Sequence, residues 1–331
     1  MGIFALYALI GLFKIKFPMK RLTLLLLTLM FTVSLFAGEE ETILHTSTGD
    51  IHGVLLMPQT ESPCPLVIII AGSGPTDMDG NTLGSSYTNN SLKMLAEGLA
   101  AEGIASVRYD KRGIGKSRDA GTSEEELRFE HYIDDAAAWA DMYCEDERFS
   151  TIAIAGHSEG SLIGMVAARK SSAVKAYISI AGCGRPAHEI IEEQLKRQPE
   201  QIQREAAAIN KELCAGRTVE DIPTYLVSLY RKSVQPYLIS WFRYNPAKEI
   251  AKLKIPVLIL QGDKDIQVGV NEAEKLLAAR MFSSYRVING MNHVLKHCES
   301  GEMIGQLDAY QNPNLPIKQE LVEHIVRFLR K

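Results

Sequence analysis

From residue 41 to residue 183, short apolar runs alternate with longer segments whose apolar positions recur at helical spacing. "ETILHTSTGDIHGVLLMP" reads as two strands around the turn Thr48-Gly49-Asp50, a hairpin at the start of the domain. "PLVIIIAG" (65–72) is a continuous β-branched run, as expected of a central strand buried on both faces. The pattern then predicts a helix over 90–103, a strand over 104–110, a helix over 130–144, a strand over 151–156, a helix over 161–170 and a strand over 175–182. Strands alternating with helices imply βαβ units and a parallel sheet.

Across 184–250 the alternation stops. A charged helical stretch, "HEIIEEQLKRQPEQIQREAAAINKEL", precedes the aromatic-rich "YLVSLYRKSVQPYLISWFRYNP", and the two together read as a helical cap inserted into the core. Alternation resumes with a strand over 255–262, a helix over 271–280, a strand over 285–288 and a last helix over 317–331. The core is thus expected in two parts, 38–183 and 251–331, on either side of the cap.

Residues 1–37 stand apart. Met19-Lys20-Arg21 followed by "LTLLLLTLMFTVSLFAG" has the charged start, apolar middle and small-residue end of a secretory signal. Cleavage is expected after Ala37, with translation starting at Met1 or at Met19, and the mature chain is expected to be exported, periplasmic or secreted. Taking away residues 1–37 removes four basic residues and no acids, which leaves 32 basic against 40 acidic residues, a net charge of −8. That balance argues against nucleic acid or an anionic membrane surface as the main partner. The composition, 46% hydrophobic and 23% charged, is that of a globular domain. Five widely spaced cysteines make neither a disulfide framework nor a zinc pattern, and they are expected to be buried free thiols. No metal-binding motif is present, so neither a metal nor a cofactor is expected.

The candidate chemistry centres on Gly156-His157-Ser158-Glu159-Gly160. It follows a buried strand and precedes a helix, the context in which G-x-S-x-G turns sharply and exposes the serine hydroxyl above the sheet edge. A plain loop with a capping serine is the alternative. A serine nucleophile needs a histidine base and an orienting acid, in the chain order Ser, Asp or Glu, His. "LILQGDKDIQV" ends a strand with Asp263 and Asp265, and "INGMNHVL" puts His293 in a loop after the next strand. Asp265 lies further into its loop and is chosen as the acid, whereas Asp263 suits a turn. Among the histidines His293 fits the order, with His297 next; His157 is expected to be structural. Two backbone N–H donors are needed for the oxyanion, and Glu159 and Ser73 of "AGSGPTDMDGN" supply them. A competing signal, "DKRGIGKS" (110–117), ends like a phosphate-binding loop but has Asp110 where that motif has its first glycine. A carboxylate there opposes phosphate, so no nucleotide is expected.

With these residues assembled, the chain resembles the α/β-hydrolase superfamily, and within it bacterial serine esterases with a monoacylglycerol-lipase-like or serine-aminopeptidase-like core. "GHSEG", "RYDKRGIGKS", "GDKD", the late "NH" and "AGSGPTD" carry the resemblance, which covers about residues 41–331. It implies an eight-stranded, mostly parallel sheet flanked by helices, with Ser158 as nucleophile, Asp265 as acid, His293 as base, and Ser73 and Glu159 as oxyanion donors. "RYDKRGIGKS" then looks like the family's structural loop. Ala71 departs from the His-Gly pair that many relatives carry at the oxyanion loop. The segment 233–246 is similar to the lid of secreted or thermostable carboxylesterases, which implies a small-molecule ester substrate. Of the cap aromatics, Tyr237, Trp241 and Phe242 are candidates to line an acyl pocket, although the same helical spacing suits the cap's own core. The same triad serves peptidases and thioesterases, and the fold also hosts non-catalytic binding proteins.

Overall fold

The computed structural model describes residues 38–60, 62–121 and 123–331. The expected signal and its end at Ala37 lie outside the described residues.

The segments predicted as strands form one eight-stranded sheet in the order β1-β2-β4-β3-β5-β6-β7-β8. The strands are β1 (Gly38–Thr46), β2 (Gly49–Met57), β3 (Cys64–Ile70), β4 (Ala105–Tyr109), β5 (Phe149–His157), β6 (Val174–Ile180), β7 (Val257–Gly262) and β8 (Ser284–Ile288). β2 runs antiparallel to β1 and to β4, and every later pairing is parallel. The carboxyl ends of β3, β5, β6 and β7 therefore share one edge, where open α/β sheets gather their ligand-binding loops. β3 and β4 are buried on both faces, which is why they read as unbroken apolar runs.

Helices cover both faces. On one lie α1 (Ser91–Ala101) and the C-terminal α11 (Gln319–Leu329), on the other α2 (Phe129–Met142) and α3 (Glu159–Lys170). Between β6 and β7 come the helices of the cap: α4 (Ala187–Leu195), α5 (Glu200–Cys214), the short α6 (Val227–Tyr230), α7 (Gln235–Phe242) and α8 (Pro246–Ile250). α9 (Val270–Ala279) follows β7, and α10 (Met303–Gln311), which the sequence pattern did not predict, lies between β8 and α11.

The cap is anchored to the core through α2 and α7. Phe129 is wholly buried, stacks on Trp241 with ring centroids 5.9 Å apart and packs against Tyr237 and Tyr244. Its backbone N–H donates to Ser240 Oγ at 2.8 Å. Of the five cysteines, all free, Cys64 and Cys298 are buried as expected, but Cys144 and Cys214 are exposed; both lie at the ends of helices, where the chain turns toward solvent.

Truncating Phe129 leaves a void shared by core and cap, so Phe129→Ala should cost about 3–5 kcal/mol of unfolding free energy. Urea unfolding measures this, and a loss below about 1 kcal/mol would contradict an anchor at this point.

Candidate active site

The backbone makes the elbow before any side chain acts. Ser158 has φ 55° and ψ −118°, left-handed territory that a non-glycine residue enters only when its surroundings enforce it. Both flanking glycines are required by close approach. A Cβ on Gly156 would collide with the Gly160 carbonyl, and one on Gly160 would stand 2.5 Å from Ile70 O. β5 thus turns directly into α3, with Ser158 at the junction beside the cavity.

The loops that carry Asp265 and His293 meet at the same edge. His293 Nδ1–H donates to Asp265 Oδ2 at 2.7 Å. The other carboxylate oxygen, Oδ1, accepts the amides of Gln267 at 2.8 Å and Val268 at 2.9 Å, while Gln261 Nε2 donates to Oδ2 at 3.1 Å. Four donors thus orient one carboxylate whose side chain is fully buried. With Nδ1 engaged as a donor, the Nε2 of a neutral His293 is left as a proton acceptor. The competing residues fall elsewhere: Asp263 accepts the Gly290 amide at 2.6 Å and shapes the turn, and His297 is half-exposed, facing Glu299.

His157 ties the His293 loop to the elbow. It is buried, its Nε2–H donates to the backbone oxygen of His293 at 2.8 Å, and the two rings lie 4.8 Å apart. Burial, reinforced by the neighbouring His293, pushes its pKa down to about 3.

The cavity beside Ser158 has a volume of about 620 Å³ and opens between the core and the cap. Ser73, Glu159, Tyr237 and Trp241 line it, with an apolar wall that includes Leu162, Ile190 and Leu238. Phe242 is not among its lining residues. It lies one helical turn beyond the lining Leu238 and packs edge-on to His188 with centroids 5.5 Å apart, so that part of the cap's aromatic set serves its own core. At the mouth, Glu124 accepts Arg231 Nε at 2.8 Å and also the Ser233 hydroxyl, which links the cap to the segment before α2.

Lys111, which the sequence pattern did not mark as a site residue, also lines the cavity, where it meets the side chain of Glu159. Lys111 Nζ donates to Glu159 Oε2 at 2.7 Å and to Gly72 O at 2.6 Å, and Tyr237 OH donates to Glu159 Oε1 at 2.6 Å. The only local sign was a lysine just after a buried strand. The rest of 110–117 is structural. Asp110 accepts the amides of Met78 and Lys116, each at 2.8 Å, and Gly115 is required because a Cβ there would meet that carboxylate. Arg112 grips Asp135 through two nitrogens, and Lys116 reaches Glu41 at 2.7 Å. These contacts tie the loop to β1, to α2 and to the segment after β3.

The strand order, the elbow after β5 and the loops after β7 and β8 define an α/β-hydrolase fold. Residues 84–238 match the family model described as serine aminopeptidase, S33. Esterase EstD of Thermotoga maritima is 30% identical over 262 residues, 75% of this chain; the chain spans 59% of that relative's length. Among solved structures, Est1E from Butyrivibrio proteoclasticus superposes with a TM-score of 0.57 at 20% identity, covering 88% of this chain and 99% of its own. The Pyrococcus furiosus esterase Pf2001 does so with a TM-score of 0.55 at 14% identity, covering 89% of this chain and 91% of its own.

The low pKa of His157 sets a stability dependence on pH. The folded state resists protonation down to about 3, whereas the unfolded chain takes up the proton near 6.5. In that window the unfolded state binds more protons, so stability falls as the pH drops, by about 1.4 kcal/mol per pH unit for this one group. His157→Gln should flatten the acid limb by that amount in urea unfolding followed from pH 6 to pH 4. Equal slopes in the two proteins would refute the assignment.

Proposed function

We propose that the protein is a serine hydrolase that cleaves carboxylic esters of short to medium acyl chains through Ser158, His293 and Asp265. The observation that carries this reading is the 2.7 Å bond between His293 and Asp265 on the sheet edge that bears the strained Ser158. In the reaction Ser158 Oγ attacks the ester carbonyl as His293 Nε2 takes its proton. The proton then passes to the leaving alcohol, and water releases the acyl group by the same route. Asp265 holds the imidazole and stabilises its charged form. The amides of Ser73 and Glu159 receive the developing oxyanion.

The cavity supports a small ester, since about 620 Å³ falls within the roughly 300–1,000 Å³ of small-molecule sites. The relatives named above are esterases, and a second Est1E structure, with a TM-score of 0.58, has ferulic acid bound. The charge of the lining favours esters over free peptides. An aminopeptidase must hold a substrate ammonium, and the two lining carboxylates are both engaged, Glu124 by Arg231 and Glu159 by Lys111. Export of the chain, with a mature end near Gly38, belongs to the same reading; mass spectrometry of the protein recovered from the host's periplasm or medium would find that end, and an intact residue 1 there would count against it.

Hydrolysis of p-nitrophenyl esters from acetate to long acyl chains, with a feruloyl ester and an aminoacyl amide alongside, tests the reading. Activity should peak at short to medium chains, drop to background in Ser158→Ala and fall by about 10⁴ in kcat in Asp265→Asn. Ester hydrolysis that survives Ser158→Ala would overturn it.

A further inference from the structure

Lys111, Glu159 and Tyr237, all among the residues that line the cavity, form a buried polar cluster whose contacts do more than fill space. Lys111 is 1% exposed, and its ammonium lies 4.8 Å from the centre of the Tyr132 ring, besides its bonds to Gly72 O and Glu159 Oε2. A buried ion pair of this kind is costly to desolvate and is weak evidence for stability in itself.

Its two acceptors are the informative part. The Gly72 oxygen belongs to the same planar peptide unit as the Ser73 N–H. In a trans peptide the two point in opposite directions, so a bond that holds the oxygen down to Lys111 aims the N–H the other way. Glu159 is the residue whose own N–H begins α3 and has no partner within the helix. Among the described residues neither the Ser73 nor the Glu159 amide donates to a backbone or side-chain acceptor. Ser73 and Glu159 both line the cavity beside Ser158. One ammonium therefore grips, on one side, the peptide carrying the first free amide and, on the other, the side chain of the residue carrying the second.

We propose that Lys111 is the positioning residue of the oxyanion hole, a clamp that fixes the Gly72–Ser73 peptide against Glu159 so that both amides converge above Ser158. Tyr237 extends the clamp into the cap by holding the second oxygen of Glu159. The ammonium also polarises the Gly72–Ser73 amide, which strengthens the N–H as a donor. The proposal rests on the serine-hydrolase reading and adds a residue that acts through the two amides it positions.

The test uses Lys111→Met, and Lys111→Met with Glu159→Gln, which removes both charges and keeps the buried site neutral if the single variant does not fold. Tyr237→Phe, which deletes one hydroxyl, is measured in parallel. For each folded variant, kcat and KM on p-nitrophenyl butyrate are compared with the inhibition constant of an alkyl boronic acid, which mimics the tetrahedral intermediate. The Lys111 variants should lose about 10²–10³ in kcat with KM changed little, the loss seen when one oxyanion donor is removed. Boronate affinity should weaken in proportion to kcat/KM, and Tyr237→Phe should shift both in the same direction by less. A folded Lys111 variant with kcat and boronate affinity within threefold of wild type would overturn the clamp, as would a loss confined to KM. If neither Lys111 variant folds, Tyr237→Phe with unchanged kcat and boronate affinity overturns it. Wild-type hydrolysis indifferent to Ser158→Ala would instead remove the hydrolase reading on which the clamp rests.

Discussion

β5 passes into α3 with almost no room to do so, and most of the site's geometry follows from that passage. The Gly156 and Gly160 backbones touch, and Gly160 lies against the carbonyl end of β3. Any side chain at either position would force strand and helix apart, and the left-handed backbone at Ser158 would lose the packing that enforces it. Because β3 is the neighbouring strand, the same contact sets where its following loop begins, and so where Ser73 lies relative to Ser158. Strain at one residue is held by close packing on both sides of it.

Around this turn the fold uses polar side chains to fasten loops that the sheet alone leaves free. His157 holds the His293 backbone, Gln261 and two amides hold Asp265, Asp263 holds Gly290, and Asp110 holds Met78 and Lys116. The bonds of His157 to His293, Asp263 to Gly290 and Asp110 to Met78 cross between segments far apart in sequence, while those on Asp265 and Lys116 brace a single loop. Loops at a strand's carboxyl end gain in this way a precision that their own short-range structure does not supply.

Much of the architecture was legible because the apolar periodicity is strong. All eight strands fall on the segments whose apolar pattern predicts strands, and the order Ser158, Asp265, His293 could be read from loops after strands. The choice of Asp265 over Asp263 agrees with the bond to His293, although both are acids two residues apart. What the pattern concealed has a common physical origin. α10 carries exposed Met303 and Ile304 with few buried positions, so it has no clear apolar stripe to read. Lys111 and Glu159 look in sequence like surface charges, and only the folded chain reveals that they neutralise each other out of water. Phe242 packs against His188 while its neighbour Trp241 lines the cavity, and a run of aromatics does not tell which of them will face it.

The fastening of the cap is uneven, and this bears on how a bulky molecule would enter. At one end Tyr237 is bonded to Glu159 and wedged among Phe129, Tyr132 and Trp241, out of water. At the other, Arg231 and Ser233 hold Glu124 at the surface, where ions and water compete for the same groups. The cap thus resembles a door with a stiff hinge and a light latch. Widening of the entrance would be concentrated near residues 224–234, and added salt would ease the latch while leaving the hinge as it is.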